Sequence, residues 1–159
     1  MSIKTAVIGV GSMGVNHARI NWELPDVDLV GVVDFNRETA ERVAKKFGSK
    51  AFFNHKTLLD EAKPEAVTLA VPTIYHHKIA LDVIERGIPL LIEKPIAFTT
   101  EEGQEIIDAA KNNNVKLMIG HIERFNPAIT TLKNLIAEGE LGRIFQMDAH
   151  RQGPFPARI

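Results

Sequence analysis

The chain has 159 residues, 45% of them hydrophobic, and a formal charge of −1 from 19 basic and 20 acidic side chains. That suits one domain of ordinary size, and a near-neutral charge with no long run of either sign excludes the footprint of a nucleic-acid or anionic-membrane binder. The absence of cysteine excludes disulfides and thiolate metal sites.

The opening "MSIKTAVIGVG" lacks the features of a signal peptide, and no apolar run approaches the roughly 20 residues of a membrane span. A cytoplasmic protein with a small-molecule partner and no metal is expected. Thr5 to Val10 ("TAVIGV") is an apolar run of strand length ending in glycines, and "VNHARINWEL" after it reads as a helix. Next, "VDLVGVVD" (Val27 to Asp34) is a β-branched strand. In "RETAERVAKKFG", Ala40, Val43, Ala44 and Phe47 recur at helical spacing before Gly48 closes the helix. A short strand at Ala51 to Phe53 and a small helix at Leu58 to Ala62 lead to the strand "AVTLAV", stopped by Pro72. The segment "IYHHKIALDVIERG" reads as a helix with a glycine stop, and "IPLLIE" as a strand. "TTEEGQEIIDAAKNNN" reads as a helix in which Thr99 and Glu102 have the spacing of a capping box. "KLMIG" is the sixth strand, and "NPAITTLKNLIAEGELG" is a helix with Asn126 as cap, Pro127 at its first position and Gly139 as its stop.

Continuously apolar strands alternating with helices predict an α/β fold: a doubly wound parallel sheet of six strands over residues 1–122. The tail departs from this. In "RIFQMDAHRQ", Phe145, Met147 and Ala149 alternate with Gln146, Asp148 and His150, which predicts a strand with one buried face. Residues 123–159 are therefore read as a linking helix and the first strand of a truncated second α+β domain. A strand without neighbours exposes its backbone donors, so it would fray or pair with a second copy, and a homo-oligomer is expected.

"GVGSMG" fits G-x-G-x-x-G between a strand and a helix. Gly9 permits the tight turn, Gly11 lets a pyrophosphate meet backbone N–H groups, and Gly14 lets helix and strand pack closely. Asp34, 20 residues beyond Gly14 at the end of the second strand, is placed to accept hydrogen bonds from an adenosine ribose. The alternative is that the glycines serve turn geometry and Asp34 caps the next helix. The carboxylate speaks for NAD, since a 2′-phosphate would meet its negative charge; Arg37 keeps NADP open.

Ligands of open parallel sheets bind outside the carboxyl ends of the strands. Thr73 and His76, Glu93 and Lys94, and His121 all follow strands. Lys94 reads either as a surface lysine or as a donor to a substrate oxygen, stabilising charge as hydride leaves or arrives. For His55, His77 and His150 solvent or ordinary packing suffices, and His17 would pack near the glycine turn without chemical duty.

"GVGSMG" followed by His17, "VPTIYHHKIA", "EKPIA" and "GHIERFNPA" together resemble the Gfo/Idh/MocA family of NAD(P)-dependent oxidoreductases, which act on sugars, cyclitols and related polyols. The last motif is most similar to the UDP-N-acetylglucosamine 3-dehydrogenase subgroup. The resemblance implies that Gly9, Gly11, Ser12, Met13 and Gly14 form the pyrophosphate loop of a Rossmann domain with Asp34 as ribose acceptor. It also implies that Val71, Pro72, Thr73 and His76 lie along the cofactor, and that Glu93 and Lys94 lie beside the nicotinamide ribose and ring, with Lys94 the active-site lysine and Pro95 fixing its turn. His121 and Arg124 would face the substrate, although Arg124 equally suits a capping or salt-bridge role. Family members are about twice this length and carry an Asp/His pair in a second domain, with the histidine as base. The resemblance thus implies a cofactor-binding half with little or no turnover alone; the alternative is a non-catalytic NAD-binding or sensing module.

Overall fold

The structure is a computed structural model in which residues 2–150 and 152–153 are described. Six strands form one sheet: β1 (Ile3–Ile8), β2 (Val27–Val33), β3 (Lys50–Phe52), β4 (Ala66–Leu69), β5 (Leu90–Ile92) and β6 (Leu117–Ile119). The order is β3-β2-β1-β4-β5-β6, and every pairing is parallel. The chain reverses its direction of growth between β1 and β4, so the crevice of this doubly wound Rossmann-type sheet opens beyond the carboxyl ends of those two strands.

Helices α1 (Gly14–Glu23), α2 (Arg37–Phe47), α3 (His55–Ala62), α4 (His76–Ile84) and α5 (Thr100–Asn112) connect the strands. One face of the sheet packs Val7, Leu29 and Val32 against Ala18 of α1 and Val43, Ala44 and Phe47 of α2. The other packs Ile8, Val67, Leu69, Leu90 and Ile92 against Leu58 of α3, Ala80, Val83 and Ile84 of α4 and Ile106 of α5. Burying each larger apolar side chain contributes about 1.5–3 kcal/mol. These two cores hold the strand ends in register.

Local signals set the boundaries. Asn36 Oδ1 caps α2 by accepting from the Thr39 N–H at 2.9 Å, and Gly48 closes that helix. At α5, Thr99 Oγ1 accepts from the Glu102 N–H at 3.2 Å, while the Glu102 carboxylate reaches one residue further back than in the usual capping box, to the Phe98 N–H at 3.1 Å. The first strand pairs over Ile3–Ile8 rather than Thr5 to Val10. Val10 is buried, but Gly9, with φ of +86°, turns the chain out of the ladder before it.

The chain divides into two compact units, residues 1–121 and 122–159. The second holds a 3-10 turn (Ile122–Phe125) and helix α6 (Pro127–Ala137). Asn126 Oδ1 accepts from the Ala128 N–H at 3.0 Å and Pro127 stands at the helix start, as the sequence predicts. The strand expected in the tail is corrected: residues 144–150 adopt no regular structure, and Arg151 lies outside the described residues. Alternation marks a segment that can bury one face of a sheet, but a strand also needs a ladder partner, and the described residues of this unit contain no strand to provide one. Among the described residues no helix is long and apolar enough to cross a membrane.

Candidate functional site

Because all six strands run parallel, the residues that follow them share one rim. Gly9 follows β1, Asp34 follows β2, Ala70 to Pro72 follow β4, Glu93 and Lys94 follow β5, and Gly120 and His121 follow β6.

At the glycine turn the backbones leave no room for side chains. A Cβ on Gly9 would stand 2.8 Å from the Ala70 carbonyl and from Val71 Cγ1, and a Cβ on Gly14 would collide with the Gly9 carbonyl group. Gly11 is the opposite case, since a Cβ there meets nothing within 4 Å. The N–H groups of Gly11, Ser12 and Met13 have no main-chain partner among the described residues, and all three residues are exposed at the N-terminus of α1. Free amides, open space and the positive end of a helix dipole suit a pyrophosphate.

Asp34 locks this turn to its neighbour. Its Oδ2 accepts from the Val10 N–H at 3.1 Å and its Oδ1 from the Asn36 N–H at 2.9 Å. The helix cap is therefore Asn36, and Asp34 bridges the loops that follow β1 and β2. Each carboxylate oxygen keeps a second lone pair for a ligand hydroxyl. Beside it lies a cavity of about 660 Å³ whose lining includes Gly9, Gly11, Asp34, Phe35, Val71 and Pro72. Phe53 and Tyr75 also line it, and the Arg37 guanidinium lies 3.9 Å from the centre of the Phe53 ring. Phe35 is 88% exposed. Sequence patterning does not single out these aromatics; Phe35 and Phe53 stand just after the ends of β2 and β3, and Tyr75 on the turn that follows β4.

The lysine side of the rim is built differently. Lys94 is exposed and enters no ion pair among the described residues, and His121 is exposed as well. Glu93 is 7% exposed. Its Oε1 lies 2.8 Å from His17 Nε2 and its Oε2 accepts from the Lys94 N–H at 3.1 Å. The Lys94–Pro95 peptide bond is cis.

His76 faces inward rather than along the rim. It is 1% exposed, with Nδ1 2.9 Å from the Pro95 carbonyl oxygen and Nε2 2.9 Å from that of Val71. Both ring nitrogens are engaged by main chain, so the imidazole ties the loop after β4 to the turn after β5. Thr73 is half-buried at the start of an otherwise exposed 3-10 turn (Thr73–Tyr75) just before α4. Arg124 belongs to the second unit, on its 3-10 turn, with an exposed side chain. His55 forms a half-buried pair with Asp82 at 2.8 Å, and His77 a surface pair with Glu105 at 2.7 Å.

A family model described as "Oxidoreductase family, NAD-binding Rossmann fold" (GFO_IDH_MocA) matches residues 3–121. The chain is 36% identical over 156 residues to a UDP-N-acetylglucosamine 3-dehydrogenase of Acidithiobacillus ferrooxidans, covering 98% of this chain and 47% of that protein. It is 33% identical over 147 residues to a glucose-6-phosphate 3-dehydrogenase of Bacillus subtilis, covering 92% and 41%. Among solved structures, the WlbA dehydrogenase of Bordetella pertussis, in complex with NADH and UDP-GlcNAcA, superposes with a TM-score of 0.86 at 26% identity, covering 91% of this chain and 45% of that one. The chain spans less than half the length of these relatives.

Proposed function

The chain belongs to the Gfo/Idh/MocA oxidoreductase family through its NAD-binding Rossmann domain, and on that premise we propose that it prefers NAD to NADP and forms the cofactor side of a dehydrogenase. The reaction is hydride transfer between the nicotinamide and the carbon that bears a hydroxyl of a sugar, nucleotide sugar or polyol, the hydroxyl proton leaving or arriving separately. The observation that carries this reading is the lock between the glycine turn and Asp34, whose oxygens hold the Val10 and Asn36 amides at 3.1 and 2.9 Å beside the cavity.

Gly11, Ser12 and Met13 present free amides to a pyrophosphate, and Gly9 and Gly14 set the turn that aims them. Asp34 accepts from ribose hydroxyls, and its negative charge opposes a 2′-phosphate. Arg37 forms no ion pair with Asp34 among the described residues; its guanidinium is stacked on Phe53 and keeps its charge there, the one feature on this side that favours NADP. Val71 and Pro72 form the opposite, apolar wall. When bound, the cofactor supplies the hydride acceptor or donor. Lys94 donates from Nζ to the reacting substrate oxygen and holds the negative charge that develops there. His121, on the same rim, is assigned to the substrate side. His76 holds the loops on which Val71 and Lys94 stand without touching the ligand.

Similarity to two 3-dehydrogenases of phosphorylated or nucleotide-linked sugars supports a substrate carrying an anionic group. Calorimetric titration of NAD and NADP, oxidised and reduced, tests the cofactor reading. NAD should bind, and Asp34→Ala should weaken it by at least about tenfold, the equivalent of one charge-assisted hydrogen bond. Failure of all four cofactors to bind, or tighter binding of NADP to the unaltered chain, would overturn it.

A further inference from the structure

The glycine-turn helix and the lysine turn are joined by a pair that the cofactor reading does not use. His17 lies on the first turn of α1, three residues after Gly14, and its Nε2 meets Glu93 Oε1 at 2.8 Å. Among the described residues this is the one side-chain hydrogen bond by which α1 reaches beyond itself and its own turn; Asn16 bonds Ser12, Asn21 bonds His17 and Arg19 bonds Glu23. The bond spans 76 positions of sequence.

The carboxylate it reaches is nearly enclosed. Glu93 is 7% exposed, and Gly120 at the end of β6 leaves it only enough room: a Cβ there would stand 3.3 Å from both Glu93 Cδ and Oε2. A carboxylate in such a place needs donors. It has two, the His17 imidazole on Oε1 and the Lys94 amide on Oε2. One oxygen is thus held from α1 while the other holds the backbone of the lysine. Donation to Oε1 also fixes the hydrogen on Nε2 of the His17 ring.

We infer that His17 is a positioning residue: by holding the buried Glu93 carboxylate it fixes the peptide of Lys94 and ties the lysine to the helix whose N-terminus forms the glycine turn. That this helix receives a pyrophosphate rests on the cofactor reading above; the bond from His17 to Glu93 to the Lys94 amide does not. Without the imidazole, Glu93 loses a donor it cannot replace from solvent while buried. Its carboxylate must then turn toward solvent, and that movement takes Oε2 away from the Lys94 N–H.

The test is residue-resolved amide hydrogen exchange on the whole chain, first without cofactor, for the wild type, His17→Leu and His17→Gln. Leucine removes the donor, whereas glutamine retains an N–H that can reach the carboxylate. His17→Leu should speed exchange at the Lys94 amide by about tenfold or more, with β1 and β4 amides changing much less, and His17→Gln should restore it to within about threefold of wild type. Gly120→Ala, which presses on the same carboxylate from β6, should act in the same direction more weakly. The inference is overturned if Lys94 exchanges in His17→Leu as in the wild type, or if all core amides accelerate together, which would mark a general loss of stability. A second arm adds NAD. Wild type and His17→Leu should then both show shifted resonances at Gly11. A wild type that responds nowhere sinks the cofactor reading, whereas the bond from His17 to Glu93 stands or falls on the exchange rates measured without NAD.

Discussion

The two halves of the carboxyl rim are built on opposite plans. Around the glycine turn nearly everything is main chain: amides left free at Gly11 to Met13, loops packed until Gly9 and Gly14 admit no Cβ, and one carboxylate spanning two loops. Around Lys94 the polar side chains, Lys94 and His121, are exposed, and order comes from what lies beneath them, Glu93 held by His17 and His76 held between two carbonyls. Donors frozen into backbone geometry suit a group of fixed shape such as a pyrophosphate. Chemistry on a variable substrate is better served by side chains that stand on a fixed floor and remain free at their tips.

The largest effect expected from this contrast belongs to Gly14→Ala. The new methyl collides with the Gly9 carbonyl, a main-chain group that no rotamer change can move aside. The loss should be about 3 kcal/mol or more, visible as a lower urea midpoint. Gly11→Ala, three residues away, should leave stability within about 0.5 kcal/mol because its methyl meets no protein atom. It should still weaken NAD, since the methyl occupies the space the pyrophosphate needs. If both variants lose stability alike, the glycine turn is a folding device and the comparison between the halves fails.

Second is the floor of the lysine half. His76→Leu keeps much of the buried volume but leaves whichever of the Val71 and Pro95 carbonyls accepts the imidazole N–H without that donor. An unsatisfied buried acceptor costs about 1–3 kcal/mol, so denaturant melts should show a loss in that range. A loss below about 0.5 kcal/mol, the range of surface substitutions, would mean that the imidazole does not hold the two loops. Asp34→Ala comes next, at about 1–2 kcal/mol for two amide bonds that water partly replaces. Its sharper signature is selectivity: removal of the negative charge should bring NAD and NADP affinities closer together.

How much of this was legible follows from what each signal measures. Apolar runs announced all six strands because parallel strands are covered on both faces, yet they misplaced the end of β1: Val10 is buried without being paired, and hydrophobicity reports burial rather than pairing. The alternation of Phe145 and Met147 reported a face suited to a sheet and nothing about a partner strand. Gly9, Gly11, Gly14 and Asp34 were readable because their spacing is local and each task admits few residue types. His17 was not, since a contact across 76 positions leaves no periodic trace. The family resemblance places His76 along the cofactor; its burial and its two main-chain carbonyl neighbours, on loops that follow different strands, leave no mark in the local sequence.

The smallest expected effect probes the frame beneath the cavity. Asp82 on α4 meets two groups of α3, His55 Nε2 at 2.8 Å and Lys56 Nζ at 3.0 Å, and His55 itself lines the cavity beside Asp34. Burial pushes the Asp82 carboxyl up, but the hydrogen bonds from His55 and Lys56, together with their charges, outweigh it and hold the group below the ordinary aspartate value of 3.8. A carboxyl whose pKa is lowered by folding stabilises the folded state at every pH above its unfolded value, and that contribution disappears as pH falls through the folded value. Asp82→Asn should therefore cost at most about 1 kcal/mol at neutral pH, the range of partly exposed ion pairs. The difference between the two proteins should hold steady down to roughly pH 4 and shrink below it. Urea melts of both proteins from pH 7 to pH 3 measure it. A difference independent of pH would mean that the aspartate acts by packing. A difference that grows on acidification would mean that the carboxylate is held at a cost, and that α3 is fixed to α4 by other contacts.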